Sequence, residues 1–373
     1  MRTLHVEAGR HYYGGARQVR YLVEGLAARG VECVLAVPPD SPLARMTWDA
    51  RATVVPLAMG GDADLGLVLR LKRMIRSWSP DVVHLHSRRG ADWLGGLAAR
   101  LAGTPSVLTR RVDNPEPPWV GALKYRLFDR VVAISGAVAQ ALEASGLRHS
   151  PAIVRSAVDP ASVATRCDGE AFRSALDIPA GAPLVGMVAQ FIARKGHETA
   201  LDALPRVLER HPSAHLVFFG RGPLEDAVRR RVARDGLTGR VRFAGFRDEM
   251  EAVYACLDVL LHPAREEGLG VALLQAGAAG IPVVACRAGG IPEVVAHAET
   301  GLLVDPDDAG ALAAATCLLL DSPEQRRAMG RAARRRIEAR FSVAGMVDAY
   351  LRIYGEVSGQ DVSRYVGAAR EAG

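Results

Sequence analysis

Residues 266–285, EEGLGVALLQAGAAGIPVVA, place a carboxylate, two glycines and a carboxamide in an order that suits one polar ligand. Glu267 precedes Gly268, Leu269 and Gly270, and Gln275 follows eight residues after the glutamate. The run DVLLHP reads as a strand ending at Pro263, so the chain up to Gly270 is a loop and VALLQAGAAG a helix stopped by Gly280 and Pro282. Glycines at a helix start let a ligand approach the backbone, and the unbonded amides of the first turn favour an anion there. A ligand lying along those first turns would touch both Glu267 and Gln275.

Two further groups carry chemistry. His84 and His86 alternate along DVVHLH, so both point to one face of a strand. A metal would need a third ligand, and none stands close in sequence, so no metal site is expected. Arg88 and Arg89 follow that strand, and Arg110 and Arg111 follow the strand that ends at Thr109. Paired guanidinium forks suit phosphate or carboxylate, which points to an anionic substrate such as a lipid phosphate or a phosphorylated saccharide. By contrast, RRAMGRAARRRIEARF (326–341) spreads its arginines around a helix without interleaved aromatics, which reads as a solvated face and not a nucleic-acid surface.

These residues need a scaffold, and the rest of the chain describes one. RTLHVEA, VECVLAVP, DVVHLH, PSVLTR and RVVAIS read as strands in the first half, with amphipathic helices between them that end at glycine. The second half repeats the pattern with PLVGMVAQ, AHLVFFG, RVRFAGF, DVLLHP, IPVVAC and GLLVD. Strand and helix in alternation imply parallel sheets covered on both faces, and ligands in such sheets bind at the carboxyl ends of the strands. The expectation is an α/β chain of two facing, Rossmann-like, doubly wound domains with a ligand cleft between them. The first would cover residues 1–160 and the second 183–341, joined by a connection over 161–182. A final helix within 342–373 must find a partner for its apolar face.

The totals bound the function. At 373 residues and 49% hydrophobic content the chain is large enough for two cores. It has no run of about 18 apolar residues, which implies a cytoplasmic protein, at most peripheral to a membrane. Five cysteines, far apart and without a CxxC pair, argue against a disulfide framework or a zinc site and fit a reducing compartment. The net charge of +6 is uneven: residues 1–165 hold 21 Lys+Arg against 14 Asp+Glu, so the basic surplus lies in the first half.

The ordered motifs resemble the retaining glycosyltransferases of family 4. EGLGVALLQAGAAGIPVVACRAGGIPEVV, from Glu267 to Val295, is similar to that family's donor-site signature, and TGLLVDPDD continues it. QFIARKGHETALDAL resembles its Gly-Arg…Lys-Gly loop, GRGPL its glycine-rich turn and VRFAGFRDEM the segment near the nucleotide base. GGARQV, DVVHLHS and VVAIS fall where the family has its first glycine-rich loop, a histidine at a strand end and a later strand. The resemblance spans nearly the whole chain in order. It departs at two positions: the second acid of the signature is Gln275 here, and the arginine of the loop is Gln190, with Arg194 beside the retained Lys195.

The resemblance implies a GT-B fold and transfer of a sugar from a nucleotide-sugar donor to a saccharide or lipid-linked acceptor, with the anomeric configuration retained. It implies no metal and no resident cofactor. Lys195, with Arg194 and the amides around Gly14, Gly15, Gly268 and Gly270, would face the diphosphate. Glu267 would hold the sugar hydroxyls, and Gln190, Leu269 and Gln275 would complete the donor site, Gln275 near the ribose. His86 would lie by the donor sugar, and Arg88, Arg89, Arg110 and Arg111 would meet the acceptor. Cell-envelope polysaccharide or lipopolysaccharide synthesis fits such chemistry. The alternatives are a donor-binding, inactive partner subunit and a nucleotide-sugar epimerase.

Overall fold

The computed structural model describes residues 1–86, 90–247 and 249–367, so Arg88 and Arg89 lie outside the described residues. The chain forms two compact units. One comprises Met1–Ala157 with the segment that begins at Val343, and the other is Val158–Ser342.

In the first unit the chain runs β1 (Arg2–Val6), α1 (Gly14–Ala27), β2 (Glu32–Val37), α2 (Pro42–Arg45), β3 (Ala52–Pro56), α3 (Gly66–Trp78) and β4 (Val82–Leu85). It continues through α4 (Ala91–Ala102), β5 (Ser106–Arg110), α5 (Pro118–Tyr125), β6 (Arg130–Ala133), α6 (Gly136–Ala144) and β7 (Ala152–Ile153). The described strands form one parallel sheet in the order β3-β2-β1-β4-β5-β6-β7. The strand order reverses between β1 and β4, and the carboxyl ends of those two strands flank the switch point where doubly wound sheets bind ligands. β2, β4 and β5 are buried almost throughout, as parallel strands covered on both faces must be. Edge strand β3 is half exposed, and it was not among the strands expected from sequence.

The second unit runs α7 (Gly169–Ser174), β8 (Leu184–Val188), α8 (His197–Arg210), β9 (His215–Phe219), α9 (Glu225–Arg234), β10 (Val241–Gly245) and β11 (Val259–His262). It then adds α10 (Val271–Ala279), β12 (Val283–Cys286), α11 (Ile291–Val294), β13 (Gly301–Val304), α12 (Ala309–Asp321) and α13 (Pro323–Arg340). Its parallel sheet has the order β10-β9-β8-β11-β12-β13, with the reversal between β8 and β11. α8 and α12 cover one face through Leu201, Leu204, Leu312 and Leu319, which pack with Val185, Leu216 and Val259 of the sheet. Residues 161–182, expected as a connection, carry α7 and belong to this unit.

After α13 the chain returns to the first unit as α14 (Val343–Ser358). Its apolar face, with Val347, Tyr350, Leu351 and Tyr354, joins the core formed by Val19, Leu22 and Leu26 of α1. Gly25 permits the contact, since a Cβ there would stand 2.6 Å from Val347 Cγ2.

The cysteine expectation is corrected. Cys167 and Cys256 form a disulfide, with Cα atoms 5.2 Å apart and a sequence separation of 89. Cys33, Cys286 and Cys317 are free and buried. The fold brings Cys167, just before α7, to the 3₁₀ turn Tyr254–Cys256, a proximity that no local spacing could announce.

One backbone position fixes the loop after β8. Gly196 has φ +75°, and a Cβ on it would stand 1.9 Å from the carbonyl oxygen of Pro263 at the end of β11. Gly196→Ala therefore costs both a left-handed backbone penalty and the displacement of that loop. The urea midpoint is expected to fall by the equivalent of about 2 kcal/mol or more; an unchanged midpoint would show that the loop yields freely.

Candidate functional site

The switch point of the second sheet gathers charge. β8 leads through Gln190, half-buried, into a 3₁₀ turn at Ala193–Lys195, and β11 ends at His262 before the loop that carries Glu267. Lys195 Nζ lies 2.5 Å from Glu267 Oε2, and His262 Nε2 lies 2.8 Å from the same oxygen. The side chains of Lys195 and Glu267 are 12% and 14% exposed. Burial alone would raise the glutamate's pKa, but the Lys195 charge and the His262 hydrogen bond outweigh it and hold the carboxyl well below the usual range. His197 is pushed down to about 4, by burial first and then by Lys195 and His262, so it is neutral. The backbone closes around the pair: the Arg265 amide donates to the Arg194 carbonyl, and the Gly290 amide to the Glu267 carbonyl.

Beyond Glu267, Gly268, Leu269 and Gly270 are buried, and Gly270, at φ +96°, stands at the N-cap of α10. Gln275 is 5% exposed, about one turn into that helix. Its Oε1 accepts from Tyr254 Oη at 3.1 Å and its Nε2 donates to Glu251 Oε1 at 3.3 Å. A carboxylate thus remains beside the position where the signature has its second acid, supplied by Glu251. Sequence reasoning did not single out His262 or Glu251; the strand-end position of His262 was the available signal.

In the first unit the switch point gathers imidazoles. His86 follows β4 directly, and its amide donates to the Val6 carbonyl of β1. The rings of His84 and His86 are 3.7 Å apart, on one face as expected. The third imidazole comes from β1: one nitrogen each of His5, His84 and His86 lie within 4.8 Å of one another. Most of these nitrogens are already bonded. His5 Nδ1 meets His86 Nε2 at 2.9 Å, and His5 Nε2 meets Thr3 Oγ1 at 3.0 Å. His84 bonds Tyr354 Oη and Thr109 Oγ1, at 2.6 and 2.7 Å. Only His86 Nδ1 is buried without a partner, so three lone pairs do not converge as a metal would require. Burial holds all three rings well below their ordinary pKa, the neighbouring imidazoles and the Arg111 charge adding to the effect at His84 and His86.

Gly14 and Gly15 open α1, and the Arg111 side chain passes 3.6 Å from where a Cβ of Gly15 would stand. Arg111 is half-buried, with Nε unpartnered. Arg110 differs from the expectation of an anion-binding side chain. It is 4% exposed and spends its guanidinium on Glu116 at 2.9 Å and on the carbonyls of Val112 and Asn114. Lys124, also buried, bonds Asp92 at 2.5 Å and Glu116 at 2.8 Å. Glu116 is pulled down to about 2, because Lys124 and Arg110 more than offset its burial. Arg110 therefore shapes the turn after β5, while Arg111 is the member of the pair left toward the switch point.

Two Rossmann-like parallel-sheet units, each with polar groups at its switch point, are the architecture of the GT-B class, shared with solved glycosyltransferases. Residues 168–336 match the glycosyl transferases group 1 family and residues 12–162 match glycosyltransferase family 4. The chain belongs to this family of nucleotide-sugar-dependent glycosyltransferases. Among its relatives, the lipopolysaccharide core biosynthesis glycosyltransferase LpsE of Rhizobium meliloti is 28% identical over 95% of this chain and 98% of its own length. The 2-deoxystreptamine glucosyltransferase of Streptomyces kanamyceticus is 30% identical over 78% of this chain and 81% of its own. The crystal structure of Anabaena HepE in complex with UDP-glucose shares the fold, with a TM-score of 0.84 at 20% identity, covering 95% of this chain and 100% of that one.

The Lys195–Glu267 pair makes a prediction with a definite sign. The folded-state pKa of Glu267 is depressed, so its stabilising contribution is complete above the unfolded value of about 4.3 and is lost as pH falls toward the folded one. Lys195→Met leaves a buried carboxylate with His262 alone. The variant should be about 2–4 kcal/mol less stable near pH 7, with the difference shrinking between about pH 5 and 3. Urea melts of both proteins across that range check this; stability curves that run parallel would disprove the coupling.

Proposed function

We propose that this glycosyltransferase transfers a hexosyl unit with retention of anomeric configuration, without a metal, to a saccharide or lipid-linked acceptor of the cell envelope. The observation that carries the reading is the buried Lys195–Glu267–His262 cluster at the switch point of the second sheet. In the reaction the acceptor oxygen bonds the anomeric carbon as the bond to the nucleoside diphosphate breaks. The acceptor proton leaves with the diphosphate, the base released in the step. What the protein must supply is charge for the leaving group, orientation and exclusion of water.

Lys195 and Arg194, with the amides of Gly268 and Gly270 and of Gly14 and Gly15, would neutralise the diphosphate. Glu267, kept ionised, would accept hydrogen bonds from sugar hydroxyls. Gln190 and Leu269 would line the donor, and Gln275 would lie near the ribose with Glu251 behind it. His86 would meet the donor sugar. Arg111, together with Arg88 and Arg89, would meet an anionic acceptor. LpsE acts in lipopolysaccharide core biosynthesis, and phosphatidylinositol monomannoside mannosyltransferases of Corynebacterium and Mycobacterium, 36–37% identical over under half of this chain, act on lipid-linked acceptors.

No helix among the described residues is long and apolar enough to cross a membrane. A peripheral contact is supported by α5, where Trp119 and Leu123 are 75% and 55% exposed one turn apart, with exposed Arg126 next on that face.

The first test is thermal stabilisation by UDP, GDP, ADP and their sugar forms. One nucleotide series at a hundred times its Kd should stabilise the protein by about 2.7 kcal/mol, and Glu267→Ala should lose the extra shift given by the sugar. Stabilisation by a donor without any turnover would favour the inactive-partner alternative, and no shift from any nucleotide would overturn both readings. Once donor and acceptor are found, Arg111→Ala should raise the acceptor KM about tenfold or more and spare donor affinity. A changed donor Kd with an unchanged acceptor KM would remove Arg111 from the acceptor site.

A further inference from the structure

The imidazoles of the first unit are joined to a thiol and a hydroxyl in one buried chain, and the polarity of that chain can be worked out atom by atom. At its closed end stands Cys33 in β2, buried, whose thiol burial pushes up to about 12, so it keeps its proton. That proton points at the Val31 carbonyl, with Sγ 3.7 Å from the oxygen. The sulfur can then only accept, and Thr3 Oγ1, 3.5 Å away, donates to it. With its single proton spent, the Thr3 oxygen must accept from His5, whose Nε2 lies 3.0 Å away. His5 is a neutral imidazole, so a proton on Nε2 leaves Nδ1 as a lone pair. That lone pair faces His86 Nε2 at 2.9 Å and fixes the His86 proton there. His86 Nδ1 is left as a bare acceptor, and it is the ring nitrogen that is buried without a partner.

We propose that Cys33, Thr3 and His5 form a positioning relay that locks His86 in its Nε2–H tautomer and presents Nδ1 as a lone-pair acceptor for a hydroxyl of the donor sugar. The substrate clause rests on the reading of His86 given above; the relay does not. Its direction matters because a ring reversed to Nδ1–H would set its Nε2 lone pair against that of His5 Nδ1 and would let a sugar hydroxyl only accept at Nδ1, where the locked form lets it donate. The relay also explains why Thr3 and His5 place polar side chains in β1, at the centre of the sheet.

Long-range ¹H–¹⁵N spectra of the full chain labelled at histidine, taken without any ligand near pH 7, read tautomers directly. His5 and His86 should both show protonated Nε2 and bare Nδ1, with assignments from His5→Asn and His86→Gln. Thr3→Val, which keeps the shape and removes the hydroxyl, should shift His86 toward a tautomer mixture, and Thr3→Ser should restore the single form. A His86 Nδ1–H signal in the wild type, or a His86 signal indifferent to Thr3→Val, overturns the relay. The substrate clause is read from binding: the affinity gain of UDP-glucose over UDP, or of GDP-mannose over GDP, should fall about 3- to 10-fold in Thr3→Val while the free nucleotide binds as before. An unchanged gain in a variant whose tautomer has shifted overturns that clause and leaves the relay standing. Failure of every nucleotide to bind sinks the functional reading and the clause together, and the ligand-free spectra still decide the relay.

Discussion

A carboxylate buried in a protein stays ionised only if a cation and a donor hold it so, and Glu267 has both in Lys195 and His262. Much of the second unit can be understood as the means of keeping those three groups in contact. Lys195 arrives after β8 and His262 at the end of β11, the two strands between which the sheet order reverses. A parallel sheet delivers all its strand ends to one edge, and the reversal separates the loops that follow so that side chains can stand between them. Gly196 then lets the first loop lie against Pro263, where any side chain would hold it off. The apolar residues of β8 and β11 in turn anchor the loop bases in the core. The charge cluster therefore depends on the packing beneath it, which holds a cation and an anion side by side.

The first unit solves a related problem with neutral groups. Its switch point between β1 and β4 holds three imidazoles, and burial keeps them uncharged. Their hydrogen bonds run into α14 through Tyr350 and Tyr354 and into β2 through Cys33. Arg111 brings a positive charge near the same rings and deepens their preference for the neutral form. The switch point of the first sheet thus offers fixed dipoles, and that of the second offers charges.

How much of this was readable in the sequence follows from what each contact depends on. Strands stand out as short runs rich in β-branched and apolar residues, so β1, β2, β4, β5, β6 and all six strands of the second sheet were legible, whereas half-exposed β3 and two-residue β7 were not. Lys195 and Glu267 were named because their motifs come in a fixed order along the chain, and the structure puts them 2.5 Å apart. His5 carries no motif, and its partner His86 is 81 residues away, so only the pairing of β1 with β4 reveals it. The Cys167–Cys256 disulfide escaped for the same reason. Arg110 and Arg111 look alike as letters; adjacent positions at a strand end point to opposite sides, and one found Glu116 while the other did not.

The return of α14 to the first unit has a consequence for how the protein is made. The second unit, Val158–Ser342, is a continuous stretch whose core can close as soon as its last helix has emerged. The first unit is begun earlier and finished later, because Tyr350 and Tyr354, which fill its core and bind Thr109 and His84, are synthesised after the whole of the inserted unit. During translation the apolar side of α1 and the imidazole cluster stand open while the inserted unit is completed, so the half of the molecule that starts first must wait longest for its interior.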